Sequence, residues 1–132
     1  MTDALELLRS SKTIAIVGVS NKEDRPSYGV AKYLVENSDY DLYFVNPVIE
    51  ELFGKPVYKT LADIPVKIDI VDVFRKSEDI PGVMEQAIAI GAKSLWMQLG
   101  ITNEDSLRVG EAAGLGVVQD KCIKIEHEKL KL

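Results

Sequence analysis

Short apolar runs alternate along this chain with segments of helical periodicity, and this alternation constrains the fold more than any other feature. Five runs have the length and apolar character of strands buried on both faces: Thr13–Val19, Asp41–Val45, Ile68–Phe74, Ser94–Leu99 and Gly116–Gln119. Helical patterns separate them. The clearest covers Ile80–Ile88, where apolar side chains recur at helical spacing, and Gly91 follows as a predicted C-terminal cap.

Strand–helix–strand alternation predicts an α/β fold with a parallel sheet, because parallel strands need a crossover helix. We expect a doubly wound, Rossmann-like sheet of about five strands with helices on both faces. The 132 residues are predicted to form one domain over 1–132, with a core at about 13–126. Glu50–Pro65 contains Gly54, Pro56 and Pro65 and predicts a loop with short strand or one-turn pieces instead of a full helix.

Charge and composition exclude several classes of function. The chain carries 16 Lys and Arg against 21 Asp and Glu, a net charge of −5, which disfavours nucleic acid as a partner. No run approaches the roughly 20 apolar residues that span a bilayer, and the acidic N-terminal residues do not resemble a signal peptide. We therefore expect a cytoplasmic protein that does not bind membranes.

The single cysteine, Cys122, and the single histidine, His127, restrict the chemistry further. They exclude an intrachain disulfide, a Cys or His metal cluster and most His-paired nucleophiles. Cys122 follows the last predicted strand and is interpreted as a small buried residue, the alternative being a thiol that forms a mixed disulfide with a ligand. His127 is predicted to lie on the surface, and Trp96 in the core.

The turn after the first predicted strand carries the most informative polar residues. Gly18 lets the backbone approach a phosphate closely, and Ser20 supplies a hydroxyl and a backbone N–H. Arg25 supplies a planar cation suited to phosphate. Pro26 and Ser27 suit the start of the next helix, whose N-terminus favours an anion. The segment is interpreted as a phosphate-binding turn; the alternative is a glycine turn that only leads into a helix.

The sequence departs from the usual dinucleotide fingerprint. Ser20 stands where a second glycine belongs, and Asn46-Pro47 stands where an acid would bind the ribose hydroxyls of NAD. No GK[ST] triplet of a phosphate-binding P-loop occurs. These features indicate a phosphorylated nucleotide other than NAD, with Arg75 after the third run as a further source of positive charge.

Several short blocks, in this order, resemble the small CoA-binding protein family. They are Gly18-Val19-Ser20, Arg25-Pro26-Ser27, Val45-Asn46-Pro47, Gly54-Lys55-Pro56-Val57-Tyr58, Val73-Phe74-Arg75, Leu95–Gly100 and Asp120-Lys121-Cys122. The resemblance covers about Thr13 to Glu126. This family is similar to the N-terminal CoA-binding domain of the succinyl-CoA synthetase α subunit, but the chain lacks the synthetase's phosphohistidine domain.

The resemblance implies a domain that binds coenzyme A or an acyl-CoA without catalytic residues or a metal of its own. It implies the following site. Gly18, Val19, Ser20, Arg25, Pro26 and Ser27 lie at the phosphates; Asn46, Pro47 and Val48 border the adenosine; Phe74 and Arg75 form the floor; and Gln98, Leu99 and Gly100 lie along the pantetheine. Such a domain would act as a sensor, a carrier or a partner subunit.

Two other functions remain open from the sequence. One is a small enzyme dependent on NAD(P) or another nucleotide, which would bind nicotinamide cofactor in preference to CoA. The other is a nucleotide-sensing interaction protein that pairs with another protein or with a second copy of itself. The size of the chain is compatible with both.

Overall fold

The computed structural model describes residues 2–130. Five α-helices are present in this part of the chain: α1 (Ala4–Ser10), α2 (Pro26–Asn37), α3 (Ile80–Ala89), α4 (Glu104–Ala112) and α5 (Ile123–Lys129). The strands are β1 (Thr13–Val17), β2 (Asp41–Val45), β3 (Glu51–Leu52), β4 (Lys55–Tyr58), β5 (Ile70–Val73), β6 (Ser94–Met97) and β7 (Gly116–Val118). Short 3₁₀ turns cover Leu61–Asp63 and Ser77–Asp79.

The strands form one sheet in the order β3-β4-β2-β1-β5-β6-β7. Every neighbouring pair is parallel except β3 and β4, which are antiparallel. The predicted α/β doubly wound fold is confirmed. The expected strand number of about five was too low, because Glu50–Pro65 contributes two short strands at the edge of the sheet.

A tight hairpin explains the two extra strands. Phe53 and Gly54 both have positive φ, 52° and 76°, as a two-residue turn between antiparallel strands requires. β4 then pairs in parallel with β2 through Val57 and Tyr58. Strands of two and four residues are too short to show a period in the sequence, which is why the pattern indicated only short pieces.

Apolar side chains on the two faces of the sheet form separate cores, as alternation along a strand requires. Ala15 and Val17 of β1 point into a core beside α3, whereas Ile14 and Ile16 point into a core beside α1, α2 and α5. α5 contacts both α1 and α2, and α3 contacts α4. Within residues 2–130, no helix is long and apolar enough to cross a membrane.

Helix ends follow the local chemistry of the sequence. The Asn103 side chain accepts a hydrogen bond from the Ser106 N–H and caps α4. Gly91 follows α3 with φ of 69°, the left-handed conformation expected of a C-terminal glycine. Pro26 is the first residue of α2, where its missing N–H leaves no helical bond unmade. These ends fix where each turn meets the sheet edge.

β1 lies at the centre of the sheet, between β2 and β5. The chain moves outward from β1 to β2 in one direction and continues through β5, β6 and β7 in the other. The crevice above β1 and β5 is therefore the switch point at which parallel sheets bind ligands. The turns that follow β1, β5, β6 and β7 border it.

Candidate functional site

A cavity of about 730 Å³ opens at this edge of the sheet. Nine of the predicted site residues line it: Gly18, Ser20, Arg25, Pro26, Ser27, Phe74, Arg75, Gln98 and Leu99. They come from the turns after β1, β5 and β6 and from the first turn of α2. Because nine of the predicted residues line it, the predicted site and the cavity coincide in large part. The cavity volume also lies within the range of cofactor pockets.

Close packing at the switch point explains Gly18. Its φ is 83°, and a Cβ built on it would lie 2.6 Å from the Phe74 carbonyl oxygen and 2.9 Å from Arg75 Cδ. Its N–H donates to the Val45 carbonyl oxygen at 2.9 Å. Any side chain here would clash with the turn after β5, so glycine is required to bring the two turns together.

Two serine hydroxyls are fixed inside the turn after β1. The Ser20 N–H donates to Ser27 Oγ at 2.9 Å, and the Lys22 N–H donates to Ser20 Oγ at 3.0 Å. The Ser20 backbone N–H is thus engaged within the turn and is not the ligand donor that the sequence indicated. Each hydroxyl accepts a backbone hydrogen bond and keeps its own proton to donate. The turn therefore presents O–H donors at the cavity wall.

Four cationic side chains surround the opening: Lys22, Arg25, Arg75 and Lys76. Arg75 contacts Asp79 across 3.5 Å, an ion pair in which both side chains are about two-fifths exposed. The exposed Arg25 side chain makes no hydrogen bond or ion pair within the described residues. Its guanidinium is thus free to make paired hydrogen bonds to phosphate oxygens.

Asn46, which was predicted to border adenosine, lies outside the cavity. Its Nδ2 donates to the Val19 carbonyl oxygen at 2.8 Å, and its Oδ1 accepts from the Val48 N–H at 2.8 Å. These two hydrogen bonds join the turns after β1 and β2. The side chain thus has a structural role in holding the sheet edge.

Four other predicted residues also do not line the main cavity. Val19 is fully buried in the apolar core, and Val48 is 83% exposed beyond the rim. Pro47 lines a smaller cavity of about 240 Å³ on the other face of the sheet, which shares Gly18 and Arg75 with the main one. The Gly100 N–H donates to Asp120 Oδ1 at 2.7 Å, which closes the turn after β6.

The cavity has an apolar side, to which two helices contribute residues outside the predicted site. Val30 of α2, Ile101 after β6 and Ile125 of α5 line it, with the half-buried Cys122 between them. Val30 belongs to the apolar stripe of a helix and is read from sequence as core. Ile125 follows the last strand in a charged segment, so only the packing of α5 on α2 brings it to the cavity.

Comparison with known proteins identifies the family. The family described as a CoA binding domain matches residues 12–128. The chain belongs to this family. The predicted resemblance is thereby confirmed, and several of the turns that carry its residues line the main cavity.

Relatives of this CoA binding domain include small proteins and longer ligases. An uncharacterized protein, YneT, from Bacillus subtilis is 40% identical over 96% of this chain and 93% of its own length. A hypothetical protein from Pyrococcus horikoshii OT3 is 41% identical with a TM-score of 0.93, covering 100% of this chain and 94% of that one. Acetate–CoA ligase [ADP-forming] I from Archaeoglobus fulgidus is 24% identical over 97% of this chain but only 20% of the ligase.

One residue of β5 is a buried carboxyl group. Asp72 lies two residues before Phe74, at the register of Ile16 and Trp96, and is fully buried. Neither carboxyl oxygen has a hydrogen-bond partner among residues 2–130. Burial raises the pKa of Asp72 well above its ordinary value. The folded state holds the Asp72 proton more tightly than the unfolded state does. The contribution of protonated Asp72 to the free energy of unfolding is therefore lost as the pH rises through the raised pKa.

The CoA binding domain buries His127, contrary to the surface position predicted from sequence. The ring is 8% exposed, and its Nδ1 lies 2.9 Å from the Tyr33 hydroxyl. The Tyr33 and Tyr40 rings meet it edge-on at centroid distances of 5.6 and 5.7 Å. The residues around His127 in the sequence are mostly charged, so the sequence did not predict this contact. The contact packs α5 onto α2. His127 does not line the main cavity.

Proposed function

We propose that this domain binds coenzyme A, free or acylated, across the carboxyl ends of its parallel strands, and that it does so without chemistry of its own. The observation that carries the proposal is the cavity at the switch point. One side of it presents serine hydroxyls and an uncommitted guanidinium, and the other side is apolar. A diphosphate suits the first surface, and the methyl and methylene groups of the pantetheine arm suit the second.

The turn after β1 supports the position of the diphosphate. Gly18 removes steric bulk, Ser27 offers its hydroxyl proton, and Arg25 offers paired N–H groups. Hydrogen bonds between charged groups and phosphate are the strong ones in proteins. Lys22, Arg75 and Lys76 add positive charge around the opening, so a polyanion is the favoured ligand despite the net negative charge of the chain.

The end of β2 favours CoA over a nicotinamide dinucleotide. An NAD site uses a carboxylate there to accept hydrogen bonds from ribose hydroxyls. This chain has Asn46, and its amide already bonds Val19 and Val48. CoA carries a 3′-phosphate on its ribose, so it does not need the acid.

The lining of the cavity supports binding without catalysis. Among the described residues that line it there is no Asp, Glu or His side chain to act as general acid or base. We infer that the domain senses or carries CoA, or serves as the CoA-binding part of a larger assembly. The last role is suggested by the Archaeoglobus ligase, of which the matching region is one fifth.

Calorimetric titration of the purified protein with CoA, NADH and NADPH tests the proposal. We expect saturable heat with CoA and none with either nicotinamide cofactor at the same concentration. Binding of NADPH with no binding of CoA would overturn the proposal and favour the nucleotide-dependent enzyme. Incubation with acetyl-CoA, followed by chromatography, should give no free CoA above a protein-free control.

A further inference from the structure

An aspartate stands inside the apolar core that α1, α2 and α5 cover. Asp72 is 0% exposed, and its register partners on the neighbouring strands, Ile16 and Trp96, both lie in that core. Residues in register on parallel strands point to the same face, so the Asp72 carboxyl lies there too. Neither of its oxygens has a hydrogen-bond partner within residues 2–130. Buried polar groups are almost always hydrogen-bonded, so this exception needs a physical reason.

No neighbouring charge compensates the Asp72 carboxyl. The strands on either side of it, β1 and β6, carry no titratable side chain. The titratable side chains that face this core, or are buried beside it, are Tyr28, Tyr33, Tyr40, Cys122, Glu126 and His127. Among the described residues none of them hydrogen bonds to Asp72, and the charged side chains of α1 and α2 are exposed.

An unpartnered carboxylate is far more costly in an apolar interior than the neutral acid. Burial accordingly raises the pKa of Asp72 well above its ordinary value. To ionise, the Asp72 carboxyl must gain contact with water. Water gains access when the helices that cover this core move apart from the sheet, so ionisation and loosening of these helices are linked.

The helices that cover Asp72 also form one side of the ligand cavity. Val30 of α2 belongs to the core that holds Asp72 and lines the cavity as well. Ile125 of α5 lines the same cavity. Phe74 lies two residues after Asp72, on the same face of the sheet, and lines the cavity from below the helices. A movement of α2 and α5 away from the sheet therefore changes the cavity.

We propose that Asp72 is a pH-dependent switch: as a neutral acid it allows α2 and α5 to close over the sheet, and as a carboxylate it loosens them and weakens ligand binding. The effect on binding rests on the proposed binding of CoA, whereas the loosening does not. The closed state holds the Asp72 proton more tightly than the loosened state. The closed state therefore dominates below the raised pKa and declines as the pH rises through it. By linkage, bound CoA raises the pKa of Asp72 further.

The ionisation of Asp72 can be followed directly by ¹³C NMR of protein labelled at the aspartate Cγ, with the resonances assigned through the backbone. We expect the Asp72 resonance to titrate well above the roughly 3.9 of an ordinary aspartate, and at still higher pH when CoA is saturating. This measurement uses the unsubstituted protein. An Asp72 resonance that titrates near the ordinary value would overturn the proposal.

Trp96 reports the loosening, because it is the only tryptophan of the chain and is fully buried at the register of Asp72. We expect its fluorescence emission to move to longer wavelength with the same midpoint as the Asp72 resonance. Asp72→Asn removes the titrating group and should keep the short-wavelength emission across this range. Asp105→Asn on α4, where the side chain is 88% exposed, is the control and should follow the unsubstituted protein. Emission that does not change at this midpoint would show that the helices stay closed, and the switch would be wrong.

Calorimetric titration with CoA below and above the midpoint tests the effect on binding. Titration of the CoA phosphates is common to all the proteins, so the ratio of the affinities of Asp72→Asn and the unsubstituted protein isolates Asp72. Above the midpoint this ratio should rise by up to about tenfold per pH unit, because one proton is linked to binding. A ratio that stays constant with pH would overturn the coupling to the cavity. If no protein binds CoA at any pH, the proposed function is wrong, and the NMR and fluorescence measurements still decide the loosening.

Discussion

The turns after β1 and β2 stand side by side at one edge of the sheet, and the sequence predicted that both bind ligand. They use their polar groups differently. In the first turn Ser27 and Arg25 retain donors that face the cavity. In the second turn the Asn46 amide bonds Val19 on one side and Val48 on the other.

This difference shows that position at a sheet edge does not by itself make a polar residue part of a binding site. A side chain binds ligand when it lines the cavity and keeps a donor or acceptor that the fold has not used. We therefore expect substitutions in the first turn to change affinity, and substitutions at Asn46 to change stability. Gly18 should affect both, because it joins the first turn to β5.

The largest effect is expected from Gly18→Ala. The added Cβ would sit 2.6 Å from the Phe74 carbonyl oxygen in a backbone with φ of 83°. Strain and overpacking together should lower the free energy of unfolding by about 2–5 kcal/mol, measured by urea denaturation. Gly82→Ala in α3 is the control, since a Cβ there meets no atom within 4 Å. It should stabilise by about 0.5–1 kcal/mol. Equal effects of the two substitutions would contradict the close packing.

Arg25→Ala should weaken CoA binding by about 1.5–3 kcal/mol, because charged hydrogen bonds to phosphate are lost. The free energy of unfolding should not change, since the side chain is exposed and makes no hydrogen bond or ion pair within residues 2–130. Calorimetry and urea denaturation give the two quantities. Arg108→Ala on α4 is the control for affinity, because Arg108 pairs with Asp105 and does not line the cavity. An unchanged affinity in Arg25→Ala would remove this residue from the site.

Asn46→Ala should lower stability and leave CoA affinity largely unchanged, the opposite of Arg25→Ala. Loss of the hydrogen bonds to Val19 and Val48 should lower the free energy of unfolding by about 1–2 kcal/mol. CoA affinity should fall far less than in Arg25→Ala. Asn21→Ala, in the exposed part of the first turn, is the control for stability. A large loss of affinity with normal stability would mean that Asn46 binds the ligand directly.

The smallest effect is expected from Val48→Ser, at a position predicted to border adenosine. The side chain is 83% exposed and lies outside both cavities at the switch point. Stability should stay within about 0.5 kcal/mol, as for most surface substitutions. CoA affinity should stay within twofold by calorimetry. A tenfold loss would extend the site to the turn after β2 and remove the contrast between the two turns.

The sequence predicted those features that depend on local patterns. Apolar runs indicated β1, β2, β5, β6 and β7, and the Gly18–Ser27 segment indicated the cavity wall that the structure places there. It predicted short strand pieces within Glu50–Pro65, but not that they pair as the β3–β4 hairpin and join the sheet, because strands this short show no period. The sequence also did not predict that His127 is buried or that Ile125 lines the cavity. Their surroundings are set by the packing of α5 on α2 and not by residues near them in the sequence.

The sequence also did not predict which polar groups of the turns form hydrogen bonds with each other. The Ser20 backbone N–H and the Asn46 side chain were both predicted to lie at the ligand, since each is polar and follows a strand. Only the folded structure shows that the Ser20 N–H already donates to Ser27, and that the Asn46 amide N–H₂ and carbonyl oxygen each make a hydrogen bond. Sequence reasoning identifies which polar groups stand at an edge, but not which of them the fold has already used.

Crystallography of the protein with CoA tests the central claim most directly. The account predicts diphosphate density within hydrogen-bonding distance of Ser27 Oγ and the Arg25 guanidinium, with the pantetheine arm running past Gln98 toward Ile125. Density for CoA in another cavity, such as the one between Arg9 and Tyr40, would contradict it. So would a diphosphate held by the turn after β2.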